Sequence, residues 1–189
     1  MNAIPPFQPT LDRDAICAVE QFYYREARLL DARCYTQWLE LLDQAVIYTM
    51  PSRHVPQPDP ALRGTEAFLA EDRELERSGA AASPLRQENL FQLTIRANRP
   101  YRLNAWAESP PPRTRRFISN VEVAPVGEGE YRVWSNFQLF YSHHGRDNHL
   151  YTGCRRDVLV HSEDTLKILS REVIMDWDVI TAPTLGLFF

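Results

Sequence analysis

Helical periodicity fills the first part of this chain and strand character fills the rest, and that order constrains the fold more than any single motif. From Leu11 to about Leu30, apolar side chains recur at helical spacing through Ile16, Val19, Phe22, Tyr23, Ala27 and Leu30. Thr10 or Asp12 can cap the start, and Asp12 and Asp14 suit the positive end of the helix dipole. Tyr35 to Leu42 predicts a shorter helix with Trp38, Leu41 and Leu42 on its apolar face. Ala45 to Met50 is rich in β-formers and stops at Pro51, which cannot continue a ladder. Ser52 to Arg63 carries prolines at 56, 58 and 60 and reads as a surface loop. Thr65 to Ser78 predicts a third helix, docked through Phe68, Leu69 and Leu75 and capped by Gly79.

Beyond Gly79 the pattern changes. Leu90–Asn98, Tyr101–Glu108, Phe117–Val126, Tyr131–Ser142, Leu150–His161 and Thr165–Trp177 read as strands separated by turn signals. Short gaps between long strands imply antiparallel neighbours. Helices first and strands later, without βαβ alternation, define an α+β fold with a sheet of about six strands. The expected organisation is one domain: an extended arm over 1–10, a mostly helical part with one strand over 11–79, an antiparallel sheet over 90–180 and an apolar tail over 181–189. In an oligomer such an arm often lies on a neighbour. In the Tyr131–Ser142 run, Val133, Ser135, Phe137, Leu139 and Tyr141 share one face, and Trp134, Asn136, Gln138 and Phe140 the other. That second face, mixing amides with aromatics, fits a protein–protein surface.

Several function classes are excluded or disfavoured. At 189 residues with 44% hydrophobic and 11% aromatic content, the chain can bury a real core. A net charge of −4 argues against nucleic acid as a main partner. No stretch approaches the length of a membrane span. Cys17, Cys34 and Cys154 are three widely spaced cysteines without a CxxC pair, so a disulfide framework and a zinc knuckle are not indicated, and a reducing cytoplasm is the simplest compartment.

Three blocks in order resemble the small (β) subunit of aromatic-ring-hydroxylating dioxygenases, the Rieske non-haem iron oxygenases. The first is Tyr24-Arg25-Glu26-Ala27-Arg28-Leu29-Leu30-Asp31, then Trp38-Leu39 and Tyr48-Thr49-Met50-Pro51. The second is Ala105-Trp106-Ala107-Glu108 with Pro110-Pro111-Pro112-Arg113-Thr114-Arg115-Arg116 and Ser119-Asn120-Val121. The third runs from Arg171-Glu172-Val173 to Leu185-Gly186-Leu187-Phe188-Phe189. The resemblance implies a nuclear transport factor 2-like cone, in which a curved antiparallel sheet wraps a long N-terminal helix with two shorter helices. It also implies self-association as a trimer and a catalytic α subunit, in a hexamer of three α and three β subunits. The Rieske [2Fe-2S] cluster and the mononuclear Fe(II) would lie in the α subunit, with electrons from NAD(P)H arriving through a reductase and often a ferredoxin.

The residues agree that this chain should carry no cofactor, because a Rieske cluster needs two Cys and two His and here no Cys has a His within three positions. His143, His144, Asp147 and His149 crowd one segment that reads either as a metal site or as a polar hairpin loop. Asp31, with Tyr48 and His54, carries the alternative function: cone-shaped dehydratases and isomerases use an Asp or His as an acid–base group. Asp31 could equally end the long helix and pair with Arg28 or Arg33. A binder of small hydrophobic ligands is a further class. No catalytic residue and no metal ligand is assigned. Arg113, Arg115 and Arg116 are candidates for an inter-subunit ion-pair patch. Trp106 is a candidate interface anchor. Leu187, Phe188 and Phe189 would expose much apolar area if left loose, so they dock either in the chain's own core or at a subunit interface.

Overall fold

The computed structural model describes residues 7–76, 83–102, 110–143, 145, 148–162, 165–179, 181 and 184–189. The long helix α1 spans Arg13–Asp31. Asp12 caps it, accepting from the Asp14 backbone N–H at 3.0 Å, and Asp14 and Arg28 complement the two ends of its dipole. Val19, Phe22, Tyr23, Leu29 and Leu30 form its buried stripe. Arg33, at φ 62°, ends the helix in the left-handed region. The Cys34 and Arg33 N–H groups then reach back to the Leu29 and Leu30 carbonyls, a closure that usually recruits glycine. Here the residue is arginine, and its guanidinium holds the Pro112 carbonyl at 2.8 Å, tying the helix end to the entry of β5, Arg113–Gly127.

Helix α2, Tyr35–Leu39, buries Trp38. Strand β1, Leu42–Met50, pairs antiparallel with β4, Arg86–Asn89, and parallel with β8, Thr165–Met175. Strands β5, Arg113–Gly127, β6, Glu130–Ser142, and β7, Asn148–Ser162, complete a six-stranded sheet in the order β4-β1-β8-β7-β6-β5. The sheet is therefore antiparallel except where β1 meets β8. Two short strands, β2 (Ser52–Arg53) and β3 (Leu75–Glu76), pair outside it. The curved sheet packs its inner face on α1, and Val133, Phe137, Leu139, Tyr151, Leu159 and Val173 fill the space between them.

Three expectations need correction. Leu90–Asn98 is not a strand but a helix, α3. Asn89 and Gln92 form a reciprocal capping box, and Leu93 and Ala97, four apart, make the buried face. Thr65–Ser78 is not a continuous helix. It contains two 3-10 turns, Glu66–Leu69 and Glu71–Glu74, separated at Ala70, before β3. Tertiary ion pairs decide the local form, because Arg156 takes Glu71 and Asp72 at 3.1 and 3.3 Å while Arg53 takes Glu74 at 2.7 Å. The strand expected to begin at Phe117 begins at Arg113, so the basic run opens β5, with Arg115 opposite Phe140 and Arg116 opposite Leu139. Gly79 and most of the strand expected at Tyr101–Glu108 lie outside the described residues; Tyr101 ends a 3-10 turn.

The N-terminal arm, as far as it is described, lies on its own chain. Thr10 donates its N–H to Val123 of β5, and Phe7 stacks on Trp134 at 4.7 Å between ring centres.

Candidate functional site

The interior of the cone is the place to look for a site, and charged side chains fill it. Glu26 projects from the apolar stripe of α1, and Arg155, Asp157 and Arg171 project inward from β7 and β8. All four are at most 2% exposed. The Arg171 guanidinium grips Glu26 through both terminal nitrogens, at 2.6 and 3.0 Å, and Asp157 through Nε and Nη2. Its remaining N–H reaches the Phe189 carbonyl at 3.0 Å, so all five of its donors are used. Arg155 donates to Glu26 and to Ser135. Trp38 donates to Glu26 at 3.1 Å and Tyr23 to Asp157 at 2.8 Å.

Two carboxylates and two guanidiniums balance in charge, and their titration follows. Burial alone would push the Glu26 carboxyl up, but Arg171 and Arg155 outweigh it and hold the group at about 2. Burial, then Asp157, push the Tyr23 hydroxyl well above its ordinary range. A general acid or base works best with a pKa near the operating pH. Glu26 stays ionised and Tyr23 stays neutral at pH 7, so this set is built to hold the cone together.

Asp31, Tyr48 and His54 do not share a site. The Asp31 carboxylate accepts from the Arg116 guanidinium at 2.5 Å, the Arg116 backbone N–H at 2.9 Å and the Thr114 hydroxyl at 3.0 Å. Its partner is thus Arg116, distant in sequence, and not a neighbouring arginine. The Tyr48 hydroxyl accepts the Phe189 N–H at 3.2 Å. His54 lies near the surface, lining a shallow cleft of about 330 Å³ with Arg53, Glu74 and Asp176.

Of the histidine segment, His144 and Asp147 lie outside the described residues. His143 contacts the Pro110 carbonyl at 3.2 Å, and His149 stands near the Tyr141 ring. Among the described residues no group of three or more His, Cys, Asp or Glu side chains is arranged to hold a metal ion.

The residues nominated for an interface separate into two sets. Arg113 and Arg115 alternate outward on β5 and are exposed. Arg116 points inward, buried against Asp31 and the Phe188 carbonyl. Burial opposes its charge, though Asp31 favours it, and the net effect lowers its pKa. Phe188 and Phe189 are buried in the chain's own core, and Leu187 is partly buried with its carbonyl held by Arg96. Trp106 lies outside the described residues. Phe117, Phe140 and Leu150 crowd the exposed face beside Arg115, all at least 40% exposed.

The buried quartet was not singled out by sequence. A signal for it existed, because Glu26 falls on the stripe of Phe22 and Leu29. Arg155 and Asp157 likewise keep the inward register of Tyr151, Gly153 and Leu159.

The curved sheet wrapped on α1 defines a cone-shaped α+β protein of the nuclear transport factor 2-like kind. Naphthalene 1,2-dioxygenase solved with indole bound contains a chain of similar fold, with a TM-score of 0.77 and 24% identity over 96% of this chain and 90% of that one. A putative scytalone dehydratase from Novosphingobium aromaticivorans shares the fold at a TM-score of 0.58 and 14% identity, over 93% of this chain and 96% of that one. The family model described as ring hydroxylating beta subunit matches residues 25–182. The chain belongs to that family, the β subunits of aromatic-ring-hydroxylating dioxygenases. The benzene 1,2-dioxygenase subunit beta of Pseudomonas putida is 32% identical over 187 residues, covering 97% of this chain and 91% of the relative.

Proposed function

We propose that this chain is the non-catalytic small subunit of a terminal oxygenase that converts an aromatic compound to a cis-dihydrodiol. Its role is assembly: it trimerises and holds three α subunits in place so that electrons pass between neighbouring α subunits. The Rieske cluster and the mononuclear iron belong to those α subunits, and NAD(P)H supplies electrons through a reductase and, in many such systems, a ferredoxin. The chain is a single domain and works in the cytoplasm.

The observation that carries this reading is the filled cone. The interior of the cone is occupied by ionised Glu26 in the grip of Arg171 and Arg155, with the tail aromatic Phe189 packed against Phe137. The same occupation argues against a dehydratase and against a binder of small hydrophobic ligands. The interface reading narrows to Arg113 and Arg115, with Phe117, Phe140 and Leu150 beside them as the apolar anchors of a polar-rimmed patch. Trp106 stays in that proposal; Arg116, Phe188 and Phe189 serve inside the chain, and Leu187 follows its carbonyl into the same groove.

The test is reconstitution. The chain purified alone should bind no stoichiometric iron and turn over no aromatic substrate even with the reductase system, NAD(P)H and O2 present, whereas adding its α subunit to that mixture should give cis-dihydroxylation. Iron-dependent turnover by the isolated chain would overturn the proposal.

A further inference from the structure

The tail, residues 184–189, is held like a bound peptide. It forms no helix and joins no ladder. Instead, side chains from separate elements each take one of its backbone groups. Tyr151 of β7 donates to the Thr184 carbonyl at 2.7 Å. Arg86 of β4 donates to Leu185 at 2.9 Å, and Arg96 of α3 to Leu187 at 2.8 Å. Arg116 of β5 donates to Phe188 at 2.7 Å, and Arg171 of β8 to Phe189 at 3.0 Å. Tyr48 of β1 accepts the Phe189 N–H.

The two aromatic side chains enter separate pockets. The Phe188 ring packs 4.2 Å from the Trp38 ring, with the Arg96 guanidinium 4.0 Å above it. The Phe189 ring lies 5.5 Å from both Phe137 and Tyr151. Backbone carbonyls are read by arginines without regard to side chain, and the two pockets select for adjacent aromatics. That division, main chain for affinity and alternate pockets for choice, is how peptide-recognition grooves work.

We propose that the mouth of the cone is a peptide-binding groove whose ligand is a short extended peptide with two adjacent aromatic residues, supplied in cis by residues 184–189. The tail is a separable ligand of the body formed by the preceding chain. This inference rests on contacts within one chain and does not depend on the assembly reading.

The experiment uses the full chain with a specific protease site replacing residues 181–183, cut immediately before Thr184 after folding. The severed hexapeptide should stay with the body through size-exclusion chromatography. It should then exchange with excess fluorescent Thr-Leu-Gly-Leu-Phe-Phe added in solution, and the same peptide ending in Ser-Ser should compete at least tenfold less well. The carbonyl contacts are charge-assisted, so Arg96→Ala and Arg116→Ala should each speed loss of the severed peptide by about tenfold or more. Loss of the hexapeptide on cutting, with no rebinding by a body that stays folded, would overturn the proposal. So would unfolding of the body on cutting, or a severed tail that never exchanges, because either makes the tail an inseparable part of the fold.

Discussion

Arg171 and Glu26 meet inside the cone as a two-point fork, Nη1 on Oε1 at 2.6 Å and Nη2 on Oε2 at 3.0 Å, both side chains at most 1% exposed. Desolvating two charges offsets much of their attraction, so the pair is not by itself a large source of stability. Removing one partner is different, because it strands the other in a dry interior.

Arg171→Met should therefore cost about 3–5 kcal/mol, the range for breaking a buried pair. Here Arg171 binds two carboxylates and the Phe189 carbonyl, which places the loss at the upper end. The urea midpoint of the purified variant measures it. A shift corresponding to less than about 1 kcal/mol would mean that the network contributes little.

Acid should act through Glu26. Its folded carboxyl is held at about 2, below the ordinary value of 4.5. The unfolded chain therefore binds the extra proton, and the stabilisation is complete above about pH 4.5 and is lost as pH falls toward about 2. Urea midpoints taken across that window should fall steeply for the natural chain, and Glu26→Gln should flatten the fall. Equal slopes would remove Glu26 as the cause.

Asp31→Ala leaves the Arg116 guanidinium without its buried carboxylate, the two side chains being 8% and 5% exposed. Stability should fall by about 3 kcal/mol. The turnover of assembled oxygenase, measured at a temperature where the variant stays folded, should be unchanged. Abolished turnover in an intact complex would revive an acid–base role for Asp31.

Gly153 of β7 has no room for a side chain. An added Cβ would lie 2.2 Å from the Ile174 carbonyl oxygen and 3.0 Å from the Phe137 ring. Gly153→Ala should cost about 1–3 kcal/mol or more, as overpacking does. A thermal midpoint equal to that of the natural chain would show that the strands part easily there.

Much of this architecture was legible in the sequence, where one kind of signal dominated. Helix α1 and strands β1, β6, β7 and β8 announced themselves because their periodicity runs over many residues. Leu90–Asn98 misled because Leu, Phe, Thr and Ile suit strands, and the Asn89/Gln92 capping box outweighs that preference. The 66–76 segment misled because Arg53 and Arg156, remote in sequence, set its shape. The buried quartet shows a third limit. Glu26 and Arg171 are 145 positions apart, and only the curved sheet wrapped on α1 brings them together.

The exposed patch gives the account its most direct test. Phe117→Ser with Phe140→Ser should leave the isolated chain folded, at a cost of about 1 kcal/mol per site or less, since the two residues are 57% and 40% exposed. The measurement is native mass spectrometry of the chain mixed with its α subunit, with and without these substitutions. The account predicts a complex of three α and three β subunits for the natural chain, and a shift to smaller species for the doubly substituted one. A natural chain that remains alone beside its α subunit would contradict it.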